Sequence, residues 1–183
     1  MESNYIFSHK KRIILHTFII FVAVFITYFW VTDEYLKDAS LQLTAVLMLT
    51  LIFTRHLLKP PSFKLAESTI STMTVLLVTT ATGGITSPLF FLNYFLLFEL
   101  SLLLEPQIPL LLSGALICYY SLTTGSVHSP LIYAGFLAFP FMTPLAFMFG
   151  QLYQKGENQK KEIRNLNKKV EKLEEELVEE ELK

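Results

Sequence analysis

Between Arg12 and Asp33, between Glu67 and Glu99, and between Glu105 and Lys155 the chain carries no Lys, Arg, Asp or Glu. Gaps of that length remove the segments from water, because a helix at the surface of a soluble domain needs a charged or polar face. A hydrocarbon slab about 30 Å thick asks for roughly 20 apolar residues per helical crossing. With 52% of its residues hydrophobic and 14% aromatic, the chain has the composition of a multi-pass membrane protein. The expected fold is all-α: a six-transmembrane-helix bundle followed by a cytoplasmic coiled-coil helix.

Hydropathy predicts spans at Ile13–Val31, Leu41–Leu58, Leu65–Thr82, Pro88–Leu104, Ile108–Leu122 and Leu131–Tyr153. They divide the chain into an N-terminal tail over 1–12, a membrane domain over 13–153 and a coil over 154–183. Lys10, Lys11 and Arg12 precede the first span, and Arg55, Lys59 and Lys64 lie around the second turn. Lys37 alone falls on the other side, among Asp33, Glu34 and Asp38. The positive-inside rule then makes both termini cytoplasmic, as six crossings require. Trp30, Tyr35, Tyr119, Tyr120 and Tyr133 are expected at the outer interface, where amphipathic rings settle. The first span is too long for a signal-peptide core, and Tyr28–Val31 offers no small-residue cleavage site.

After the sixth span the apolar residues step as Ile163, Leu166, Val170, Leu173 and Leu177. The alternation of three and four is the a/d seam of a coiled coil. With Ile163 at a, Lys169 at g faces Glu174 at the following e, an attractive pair in a parallel homodimer. Glu176 meets Glu181 in the next heptad, and Glu180 occupies a d position, so the coil weakens toward Lys183. A solvated single helix held by pairs such as Glu157–Lys161 is the alternative.

Several polar features interrupt the apolar spans. Gly83 and Gly84 permit backbone angles closed to other residues, Ser87 is placed to cap the fourth span, and Pro88 begins it without wasting a donor. The loop reads as a tight hairpin, or as a pocket where helix-start amides meet a head group. The third span, rich in Ser and Thr from Ser68 to Thr82, offers either interhelical glue or a polar lining. Glu99 is the carboxylate deepest within a span, where it is expected to pair with Arg55 or His56, or to sense a proton or ligand. Asn93 reads as glue. Pro140 and Pro144 share a face of the sixth span and read either as a bend or hinge or as simple packing. Cys118, the lone cysteine, is expected to be a buried, inert thiol.

No HExxH, GxSxG, GxxxxGK or Cys/His metal spacing is present, and His9, His16, His56 and His128 are dispersed. The run Thr82–Phe91, between spans three and four and ahead of a coiled coil, resembles the N-terminal membrane region of bacterial sensor histidine kinases. It is most similar to the redox-sensing type, whose outer loop reads GGxxNPF and contributes to ubiquinone binding. Gly83, Gly84 and Pro88 match that pattern, while Ser87 replaces the asparagine and Leu89 the phenylalanine. The resemblance implies a bacterial cytoplasmic-membrane sensor with Gly83, Gly84, Ser87, Pro88 and Glu99 as candidate ligand residues and a quinone as candidate ligand. The family's phosphoacceptor helix and ATP-binding domain have no counterpart here, so the chain is expected not to be an enzyme. It would signal through a kinase or response-regulator partner. The competing reading is a small transporter or transporter subunit, with Glu99 and the third-span hydroxyls along the path. Nothing calls for a metal or a nucleic-acid partner.

Overall fold

The computed structural model describes residues 2–57, 60–124 and 130–181. Leu58, Lys59, Ser126, His128 and Lys183 lie outside the described residues, as do the side chains of His9, Lys10, Lys11, Arg12, Glu180 and Glu181. The helices are α1 (Glu2–Thr32), α2 (Glu34–Lys37), α3 (Ser40–Leu57), α4 (Pro60–Ala81), α5 (Leu92–Leu103), α6 (Ile108–Thr124) and α7 (Pro130–Glu181). A 3-10 turn covers Gly84–Thr86. Among the described residues there is no strand, so the chain is all-helical.

Three helical stretches are long and apolar enough to cross a membrane: Ile14–Thr32, Ser40–Leu57 and Ile132–Leu177. Leu92–Leu103 and Ile108–Thr123 are shorter apolar helices. At 1.5 Å per residue, the 12 residues of α5 rise about 18 Å, well short of a hydrocarbon core. Hydropathy begins the fourth span at Pro88, but 88–91 form turns and the helix opens at Leu92. At the other end of the chain, residues 2–12 are helical and run directly into the rest of α1.

Contacts divide the chain into Met1–Gly150 and Gln151–Lys183, and each unit is described by itself. In the first, α4 packs against α1, α3 and α5, and α6 packs against α1 and α5. The early part of α7 lies on α5 and the turn before it, where Phe139 stacks edge-on against Tyr94 and Phe90. Leu76 and Leu77 from α4, Leu97 and Leu100 from α5, and Leu116 from α6 are fully enclosed. Large apolar side chains also cover the outside. Ile14, Phe18, Phe25 and Phe29 form a stripe along α1, and Leu49, Ile52 and Phe53 continue the pattern on α3. A helix apolar on both its inner and outer faces is stable only where something other than water covers the outer one.

In the second unit, Ile163, Leu166, Val170, Leu173 and Leu177 are all more than half exposed. They share one face of α7, because a three-four spacing keeps them within a narrow stripe.

Candidate functional site

The Gly83–Gly84 turn is built by backbone constraint. Thr82 closes α4 by donating its N–H to the carbonyl of Val78, and Gly83 then turns with φ 123° and Gly84 with φ 64°. Both angles lie where a Cβ is disfavoured, so glycine is the favoured residue at both positions. Thr86 and Ser87 donate back to the carbonyls of Gly83 and Gly84, closing the 3-10 turn.

Ser87 is buried, and its hydroxyl accepts the N–H of Leu89 at 3.0 Å while lying 2.5 Å from the hydroxyl of Thr82. The expectation that it caps the fourth span is corrected by this geometry. It caps the turn over 88–91, because the chain needs a further turn after Pro88 before α5 can start. Phe90 donates to the carbonyl of Ser87 as well. The amides of Ser87, Leu89 and Phe90 are thus satisfied within the loop instead of facing a ligand. Pro88 is exposed.

The glycines form one wall of a cleft of about 500 Å³. Tyr28 and Thr32 from α1, Lys37 from α2 and Thr80 from α4 contribute to it. Gly83, Gly84 and Thr86 line the cleft, whereas neither Ser87 nor Pro88 does. Lys37 is not among the residues that sequence reasoning singles out as a ligand contact. Its signal is there, as the single cation between Arg12 and Arg55, but only packing sets it against the same cleft as the glycines.

A polar network supports this end of the bundle. The hydroxyls of Thr80 and Tyr119 lie 2.9 Å apart, and Tyr120 donates to Asn93 Oδ1 at 3.1 Å. Asn93 Nδ2 in turn donates to the carbonyl of Phe90 at 2.9 Å. Asn93 therefore joins α5 to α6 and anchors the loop, and each such bond in a low-dielectric interior is worth about 1 kcal/mol. Tyr119 and Tyr120 are almost fully buried. They are core residues rather than interfacial anchors, since their hydroxyls find partners inside the protein. Tyr35 and Tyr133 are exposed.

Glu99 lies elsewhere. It sits seven residues beyond Leu92, roughly 10 Å further along α5, and does not line the cleft. Its Oε2 accepts the hydroxyl of Ser71 at 2.8 Å. Arg55 and His56, the partners expected for it, are exposed on α3. The fold brings α4 rather than α3 to this carboxylate, because α4 is the helix packed on α5. Most of the remaining hydroxyls of α4 bond to their own helix: Thr69 to Leu65, Thr72 to Ser68 and Thr79 to Val75.

Cys118 is exposed, which corrects the expectation of a buried thiol. It lies in an apolar trough between α1 and α6 with Phe25, Gly114 and Ala115. An apolar run with no polar face does not say which of its sides points inward. Among the described residues, no group of three or more His, Cys, Asp or Glu side chains is placed to hold a metal.

No family model, curated protein or solved structure matches the chain.

Proposed function

We propose that the chain is an integral membrane input module of a two-component-type signalling system. On this reading it crosses the bacterial cytoplasmic membrane six times with both termini inside. The observation that carries the reading is α7, a 52-residue helix in which an apolar stretch long enough to cross a bilayer precedes an exposed heptad stripe. A parallel homodimer through Ile163, Leu166, Val170, Leu173 and Leu177 covers that stripe and carries a rearrangement toward a kinase or response-regulator partner. The short α5 fits a crossing if the flanking turns lie within the bundle and the bilayer thins locally. The turn-end cleft is the ligand site, and a ligand acts by binding one of two helix packings more tightly than the other. A quinone, the ligand of the kinases this loop resembles, is one candidate stimulus.

The test is a phase experiment. The chain is joined after Leu177, in heptad register, to the soluble catalytic region of a dimeric histidine kinase, and autophosphorylation is measured in membranes. Inserting one residue at the junction should change the output, and inserting seven should restore it, because seven residues return the a/d seam to the same face. Output indifferent to insertion length sinks the relay.

A further inference from the structure

The cleft beside Gly83 and Gly84 does not stand alone. Tyr28 and Leu122 line both it and the open apolar trough between α1 and α6, of about 440 Å³. Phe21 and Leu111 in turn line both that trough and a third hollow of about 460 Å³ that reaches Ile14. Three hollows that share their boundary residues form one crevice along α1, polar at one end and apolar over the rest. From Ile14 to Thr32 the helix rises about 27 Å, longer than the ~15 Å of a single bilayer leaflet.

The polar end carries one cation. Lys37 lines it together with Thr32, Thr80, Thr86 and Thr123, whose hydroxyls are bonded within the protein to Tyr28, Tyr119 and Gly83, and among the described residues no acidic side chain lines it. Asp33, four residues before Lys37, lines an adjoining crevice with Trp30 and Leu36, which shares Thr32 with the cleft and Phe25 with the trough. Its Oδ1 accepts the amides of Tyr35 and Leu36. The apolar end is deepened by Gly114, where a Cβ would meet no atom within 4 Å. Cys118, one turn further along α6, faces the same space.

We propose that this crevice is a binding site for a single-chain amphiphile with an anionic head group. The head lies against the Lys37 ammonium, and the tail occupies the trough past Gly114 and Cys118. The inference rests on the cleft being the module's ligand site and goes beyond it. A cation at the head end favours a phosphate or carboxylate over the neutral head of a quinone, because Lys37, exposed at the cleft, can pair with an opposite charge and a neutral carbonyl gains less from it.

Cys118 is the only cysteine and so reports on the trough without mutation. The full chain, purified in dodecyl maltoside, is treated with N-ethylmaleimide, and the labelling rate is followed by mass spectrometry. Oleoyl lysophosphatidic acid should slow labelling at concentrations where monoolein, with the same tail and a neutral head, has little effect. Oleate, run in parallel, tells a carboxylate head from a phosphate. Protection by either anion and not by monoolein supports the site. Lys37→Ala should raise the half-protecting concentration of the anion about fivefold and leave monoolein unchanged. Gly114→Leu, which fills the trough while improving helix propensity, should abolish protection in folded protein. Equal protection by monoolein means annular lipid only and overturns the proposal, as does protection indifferent to Lys37→Ala. Native mass spectrometry of the same sample reads the dimer independently. A dimer with unprotected Cys118 overturns this site and leaves the input-module reading intact.

Discussion

Ser101 donates its hydroxyl to the carbonyl oxygen of Ala146 at 2.6 Å, tying α5 to α7 across the inside of the bundle. The approach is close because Gly150, one turn on, has no side chain. A Cβ there would collide with Ser101 Oγ and sit 2.8 Å from the Ser101 carbonyl oxygen. Small residues at such crossings let membrane helices reach van der Waals and hydrogen-bonding distance together.

Gly150→Ala should therefore lower the thermal midpoint in detergent by the equivalent of about 1–3 kcal/mol, the usual range for overpacking. Ser101→Ala in the same chain removes the hydroxyl clash and leaves the backbone one. Partial recovery in the double variant is expected, and full recovery or none contradicts the packing.

Glu99 and Ser71 should show coupling in a double-mutant cycle. Ser71→Ala strips a half-buried carboxylate of its donor, and Glu99→Gln keeps an acceptor in place. A coupling energy of about 1 kcal/mol is expected from Ser71→Ala and Glu99→Ala measured singly and together. Additive effects on reversible unfolding would show that the bond contributes nothing.

The two glycines of the turn should differ in tolerance. Gly84 has φ 64° and open space around its missing Cβ, so Gly84→Asn should be mild and Gly84→Ala should cost about 1–2 kcal/mol. Gly83 has φ 123° and its Cβ would meet Thr86 Oγ1 at 3.4 Å. Gly83→Ala should be the more damaging of the two alanine variants, as read by loss of folded protein on a thermal ramp.

The coil is open to crosslinking. In a Cys118→Ser background, cysteine at Ile163 or Val170 should form interchain disulfides in membranes, and cysteine at the b position Glu171 should not. Leu173→Pro removes a backbone donor and clashes with the preceding turn, so crosslinking at Val170 should fall sharply. A chain that crosslinks at none of these seam positions is a single solvated helix.

Reporter fusions after Asp38 and Ser87 should read external, and those after Pro106 and Gly156 internal. A reversal at any one of the four breaks the six-crossing map.

Helix positions are legible in the amino-acid sequence alone, because apolar runs and their polar breaks are local properties of the chain. Ser40–Leu57 and the start of α6 at Ile108 lie within a residue of the hydropathy reading. The heptad seam is equally plain, since a period of 3.5 needs no partner to be recognised. So is the need for glycine at 83 and 84, where the turn allows few alternatives. Hydropathy fails at Pro88, which reads as a helix start but opens a turn capped by Ser87. Rotation and neighbourhood are decided only in three dimensions. An apolar helix offers hydrophobic side chains on every face, so nothing in its pattern says that Cys118 points outward or Tyr120 inward. Nor does it say that Glu99 meets Ser71 on α4 instead of Arg55 on α3, or that Lys37 joins Gly83 around one cleft. Those pairings follow from which helices pack together, where directional hydrogen bonds and the space beside a glycine discriminate between faces that hydrophobicity leaves equivalent.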